Sequence, residues 1–158
     1  MKHWLMKSEP DEMSIDDLAK LPRRTSPWTG VRNYTARNFM RDAMSVGDLA
    51  FFYHSSCPEP GIAGIVKVAS PAHPDPTQFD AKSDYYDPKS TRENPRWMCV
   101  DVTFVEKTRL VPIAEMRAAK ALDKMVTLQR GNRLSITPVT DGEWEAVLTL
   151  AKAKFKAA

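Results

Sequence analysis

Leu49-Ala50-Phe51-Phe52-Tyr53-His54, followed by Gly61-Ile62-Ala63-Gly64-Ile65-Val66-Lys67-Val68, is the stretch of this chain that decides its fold. The first run is rich in aromatics and too short for a helix, and the turn signal Gly47-Asp48 opens it, so it reads as a strand. Pro58, Pro60 and Gly61 break that strand, and Ile62 to Val68 makes a second β-rich run. The pair is predicted to be a hairpin with a long tip. Gly64, inside the second run, marks a bulge or a close approach of another backbone.

Upstream of the hairpin, His3, Leu5 and Lys7 alternate with Trp4, Met6 and Ser8, the period-two pattern of a first strand. Ser14 and Asp17 form a capping pattern ahead of Ile15, Leu18 and Leu21, and Pro22 ends that short helix. A loop with Pro27 and Gly30 leads to Ala36, Phe39, Met40, Ala43 and Met44, which recur at the three-and-four spacing of a buried helical face. Downstream, Pro71 to Thr77 ends the hairpin, and Phe79 to Arg96 reads as an ordered surface excursion, since Tyr85 and Tyr86 are unusual in disordered tracts. Trp97 to Val105 alternates as a long strand. Pro112 opens a helix with Ile113, Met116 and Ala119, and Leu134 to Val139 is a further strand. A capping box from Thr140 to Glu143 opens a last helix, with Trp144, Val147, Leu148, Ala151 and Phe155 on one face. Strands separated irregularly by helices imply an α+β class with a mostly antiparallel, partly closed sheet.

The chain has 158 residues, 42% hydrophobic and 27% charged. One domain over residues 1–158 is the natural expectation at that length. Mean hydropathy is −0.43, and no apolar run approaches the ~18 residues of a membrane span, so no membrane partner is expected. Met1 to Pro10 lacks the uninterrupted apolar core of a secretion signal, and a cytoplasmic location follows as an expectation. In that reducing setting Cys57 and Cys99 are expected to be free thiols. The net charge of +3 permits a nucleic-acid partner without requiring one. Lys20, Arg23, Arg24, Arg32, Arg37 and Arg41 follow one another with no acid between them and with Trp28 and Tyr34 interleaved; a solvated face has the same composition.

Several chemistries are missing. There is no Gly-x-Ser-x-Gly elbow for a serine hydrolase, and Gly61 to Gly64 has neither the spacing nor the lysine-hydroxyl pair of a phosphate-binding loop. His54 and Cys57 stand at a spacing a metal tolerates, but no second pair accompanies them, and His3, His73 and Cys99 have no ligand-like neighbours in sequence; no metal and no cofactor is expected. A hydrolytic enzyme using His54 and Cys57 stays as an alternative, as does a pocket for a free nucleobase or other small molecule. Glu9, Asp11 and Glu12 precede a helix start, where acids ordinarily favour the dipole. Polar and aromatic residues gather instead at strand ends: Lys7 and Ser8, Trp28 with Arg32, Asn33 and Tyr34, His54 and Ser55, and Arg96 with Trp97. By periodicity Trp28 and Trp97 suit the core as well as a ligand platform.

Six motifs carry a resemblance. Trp4-Leu5-Met6-Lys7-Ser8-Glu9-Pro10, Trp28-Thr29-Gly30-Val31-Arg32-Asn33-Tyr34-Thr35-Ala36-Arg37-Asn38, Gly47-Asp48 before Phe51-Phe52-Tyr53-His54-Ser55, Gly61-Ile62-Ala63-Gly64, Tyr86-Asp87-Pro88-Lys89-Ser90 and Pro95-Arg96-Trp97 together resemble the EVE domain family, in order and over essentially the whole chain. The resemblance implies a PUA-like pseudo-β-barrel with surrounding helices, related to the YTH readers of methylated RNA bases. It implies a non-catalytic module that reads a modified base in DNA or RNA, with 5-methylcytosine and 5-hydroxymethylcytosine the leading candidates; as a single domain it is expected to act by recruitment, by competition or through partner proteins encoded elsewhere. Carried over residue by residue, it gives Lys7, Ser8, Trp28, Asn33, Tyr34, His54, Ser55 and Trp97 as the pocket. Trp28 is then expected to stack on an extracted base, with Trp97 or Tyr34 as a second wall. Arg23, Arg24, Arg32, Arg37, Arg41 and Arg96, with Lys7, are expected to hold flanking phosphates.

Overall fold

A computed structural model describes residues 1–153. Eight strands and four α-helices follow one another as β1 (His3–Ser8), α1 (Ile15–Lys20), β2 (Thr25–Pro27), α2 (Tyr34–Asn38), β3 (Leu49–His54), β4 (Gly61–Val68), β5 (His73–Pro74), β6 (Met98–Cys99), β7 (Asp101–Pro112), α3 (Ile113–Ala118), β8 (Ile136–Val139) and α4 (Asp141–Ala151), and a π-helix (Phe39–Ala43) continues α2. Both expected capping boxes are present: Ser14 exchanges hydrogen bonds with Asp17, and Thr140 with Glu143. Phe155, predicted on the last helical face, lies outside the described residues.

Six strands form one sheet in the order β2-β7-β4-β3-β1-β8, and β5 pairs with β6 separately. Every pair in the large sheet is antiparallel except β1 with β3. The hairpin is present, with His54 opposite Gly61 and a register shift after Phe52. A Cβ on Gly64 would stand 2.6 Å from the Ile15 side chain and 2.8 Å from the Glu106 carbonyl oxygen, so α1 and β7 crowd that position as a strand glycine suggests.

The strand read from Trp97 to Val105 is divided differently. It breaks at Val100, whose carbonyl accepts from the Trp28 amide at 2.8 Å, and Met98–Cys99 pairs with His73–Pro74. Beyond Val105 the strand runs on to Pro112. Two register shifts against β4 disturb the inside-outside alternation there, which is why the pattern faded before the strand ended.

Alternation along the strands builds a core on each face of the sheet. Trp4, Met6, Phe52, Val66 and Val102 join Trp28, Ile15, Leu18 and Met40 on one side. Leu5, Phe51, Tyr53, Ile65 and Val111 join Met116, Leu122, Met125 and Trp144 on the other. The edge strands do not pair. Ser26 and Pro27 of β2 nevertheless border the same cleft as Arg133 and Ser135, just ahead of β8, so the sheet curls until its two edges flank one opening.

Candidate functional site

That opening is a cleft of about 660 Å³, within the ~300 to 1,000 Å³ typical of ligand sites. Lys7 and Ser8 at the end of β1, Trp28 to Asn33 after β2, Ser55 and Ser56 after β3, Glu9, Glu12 and Met13 ahead of α1, Tyr85, Arg133 and Ser135 line it. The strand ends meet because β1 and β3 run parallel and in register: Ser8 lies opposite His54, and the Ser55 amide donates to the Ser8 carbonyl at 2.9 Å.

Five of the eight expected pocket residues therefore border the cleft: Lys7, Ser8, Trp28, Asn33 and Ser55. Trp28 is buried, with its ring edge-on to Phe52 at 5.4 Å between centroids, and so serves core and cleft together. The Asn33 side-chain oxygen accepts from the Ala36 amide as the cap of α2. The Ser8 hydroxyl donates to the Met13 carbonyl at 2.7 Å. Burial lowers the Lys7 ammonium from its ordinary value, and the group sits 5.6 Å above the Tyr53 ring.

Tyr34, His54 and Trp97 stand outside the lining. Tyr34 stacks on Trp97 at 4.9 Å, and the Trp97 indole donates to Asp87 at 2.8 Å, so these aromatics clamp residues 73–97, an excursion wider than the one read from Phe79 to Arg96. His54 accepts the Ile15 amide through Nε2 at 3.1 Å, which anchors the start of α1, and burial holds its imidazole below 6.5. His54 and Cys57 border a second cleft of about 470 Å³. With Nε2 engaged by the helix, that nitrogen is not available as a base toward Cys57.

Most of the arginines have partners within the protein. Of the six, only Arg32 borders the cleft, and it is held by the protein: its guanidinium donates to Asp75, to the Thr77 hydroxyl and twice to the Tyr85 carbonyl, and lies 5.2 Å from the Trp97 ring. Arg37 donates to the Arg96 carbonyl and sits over Tyr34, Arg41 grips Asp42 through two bonds, Arg96 stands 3.9 Å from Asp87, and Arg24 lies over Phe104. Arg23 and Arg24 occupy consecutive left-handed positions, φ 56° and 50°, in the turn ahead of β2. A count of cations along a sequence cannot tell those facing solvent from those already paired.

Buried polar residues of the 73–97 excursion brace the rim. The Asp75 carboxylate accepts from the Gly30 amide, from Arg32 and from Thr77. Gln78 donates to the carbonyls of Asp75 and Trp97 and accepts from Ser90 and the Trp97 amide. Gly30, at φ +85°, has room for no side chain, because a Cβ would stand 2.7 Å from the Tyr85 ring. Glu12, Tyr85, Ser135 and Arg133 are among the lining groups that the sequence did not assign to the site. Arg133 is exposed, and no ion pair holds it among the described residues. Their only sequence signal was a tyrosine pair set among charges and an acid ahead of a helix. His73 and Cys99, which have no ligand-like neighbours in sequence, meet at 3.7 Å, but Cys99 is buried and its thiol is pushed up to about 12 by that burial, so it packs as an apolar group.

An EVE domain family model matches residues 2–150. The chain belongs to the EVE domain family. Human thymocyte nuclear protein 1 is 49% identical over 166 residues, covering 94% of this chain and 73% of that protein. The crystal structure of human THYN1 protein in complex with 5-methylcytosine-containing DNA is similar with a TM-score of 0.91 and 45% identity, over 98% of this chain and 100% of that one. A crystal structure of a protein from Pseudomonas putida has a TM-score of 0.90 and 49% identity, over 94% and 99%. The curled α+β architecture of this EVE domain is thus the PUA-like fold. Among its described residues, no helix is long and apolar enough to cross a membrane.

Proposed function

We propose that this EVE domain is a non-catalytic DNA-binding module that takes a single modified cytosine, 5-methylcytosine foremost, out of its stack and into the cleft between the two sheet edges. The observation that carries the reading is the likeness to the human protein solved with 5-methylcytosine-containing DNA, at 45% identity over 98% of the chain. The cleft supports it with the group types the task needs. Extracting a base costs a few kcal/mol, and stacking on an aromatic returns ~1 to 3 kcal/mol; Trp28 is the indole on the wall. Asn33, with its oxygen engaged by α2, offers its amide hydrogens, and Ser55 offers a hydroxyl at the rim. Lys7 and Arg133, which border the cleft, are placed to contact flanking phosphates, contributing salt-sensitive affinity without choosing the base.

Trp28→Leu tests the assignment, because leucine keeps an apolar side chain in a buried position while removing the π face. Affinity for an oligonucleotide with one 5-methylcytosine is expected to fall roughly tenfold, while affinity for the unmodified twin changes little, both measured at two salt concentrations. Equal losses on both strands reduce Trp28 to a packing residue.

A further inference from the structure

A site that admits a polyanion contains a carboxylate with no cation to neutralise it. Glu12 lines the cleft, is exposed, and forms no ion pair among the described residues. Near phosphates such a charge weakens binding unless it meets a donor. Its place is maintained from across the cleft. The Tyr85 hydroxyl donates to both carboxylate oxygens, at 2.5 and 2.7 Å, between residues 73 positions apart. Tyr85 is itself confined, with its ring against Gly30 and the Arg32 guanidinium 5.5 Å from it. Burial, helped by Glu12, pushes its phenol up to about 12, so the ring stays a neutral donor. One hydroxyl uses a small part of what a carboxylate can accept: each oxygen keeps a lone pair for an incoming N–H, and nothing in the pair offers a hydrogen to the ligand.

We infer that Glu12, positioned by Tyr85, determines base specificity by accepting the exocyclic amine of the extracted base, so that the cleft takes aminopyrimidines and rejects oxopyrimidines. This rests on the base-reading function proposed above and names the feature of the base that is read. A carboxylate accepts well from the cytosine N4 amine. Thymine carries the same 5-methyl group and nearly the same shape but presents a carbonyl oxygen at that point, which sets lone pairs against lone pairs and leaves the carboxylate without a donor. Glu12 is the specificity residue and Tyr85 a positioning residue.

The test uses the whole chain and three oligonucleotides that differ at one position, holding 5-methylcytosine, cytosine or thymine, each opposite an abasic site so that no base pair must be broken. The unaltered protein is expected to prefer 5-methylcytosine over thymine by roughly tenfold or more. In Glu12→Gln, whose amide can present either an oxygen or a hydrogen, that ratio is expected to fall to about twofold. Tyr85→Phe, which frees the carboxylate without removing it, is expected to lower the ratio part of the way. The ratio is the readout, because a merely structural role for either residue weakens all three strands together. If the unaltered protein binds thymine as well as 5-methylcytosine, or if Glu12→Gln keeps the full ratio, the inference is overturned, while a retained preference for 5-methylcytosine over cytosine leaves the base-reading function standing. Equal binding of all three strands overturns both.

Discussion

The two faces of the sheet are covered by different means. On one, α3, the 119–130 turns and α4 bury their apolar side chains, with Trp144 stacked on Phe51 at 4.0 Å and on His3 at 4.4 Å. On the other, part of the cover is the 73–97 excursion, held by two buried polar side chains, Asp75 accepting from the Gly30 amide and Gln78 donating to the Asp75 and Trp97 carbonyls. Close-packed apolar cover fills space and leaves no opening. Polar bracing fixes a loop at a distance and keeps its neighbours accessible, and the 660 Å³ cleft lies on that side. Residues that hold a site open need not touch its ligand.

Three substitutions sharpen or break this comparison. The largest effect is expected of Trp144→Ala, which empties a fully buried site and costs ~3 to 5 kcal/mol by chemical denaturation. Binding of the methylated oligonucleotide by the folded fraction is expected to survive. Asp75→Asn comes next, at about 1 to 3 kcal/mol, as Arg32 and the Gly30 amide lose a shared charged acceptor. Here the order is reversed: the stability loss is smaller and the loss of binding larger, because the rim carrying Gly30 and Tyr85 is released. Should the two variants lose binding in proportion to their stability, the division of labour between the faces does not exist.

The smallest effect comes from His54, where the strand end meets α1. Burial holds its folded-state imidazole below 6.5, so on acidification the unfolded chain binds the proton first. Stability is therefore complete above that value and declines as the pH falls below it, until the folded imidazole protonates and Nε2 loses the Ile15 amide. A urea midpoint followed from about pH 7 to pH 5 is expected to drop in the native chain and to drop less in His54→Gln. Identical slopes would show that His54 does not contribute to that pH dependence.

Much of this was legible in local patterns. The hairpin, the first strand and both capping boxes are short-range features in which neighbouring residues set backbone preference, and the structure places them where the patterns do. Lys7, Ser8, Trp28, Asn33 and Ser55 were recoverable because they end or follow such elements. The break at Val100 was not, since it depends on an amide donated by Trp28 from a distant loop. Tyr34 and Trp97 have the right chemistry for a platform, but they stack on each other, Trp97 bonds Asp87, and neither borders the cleft.

Periodicity, caps and turn residues determined which segments form strands and helices and which faces are apolar, because those preferences act over a few residues at a time. Tertiary structure alone decided which cations remain available and which aromatics face the opening. Pairing Arg32 with Asp75, or Tyr85 with Glu12, spans more than forty positions, and such a contact exists only once the curled sheet has brought its edges together.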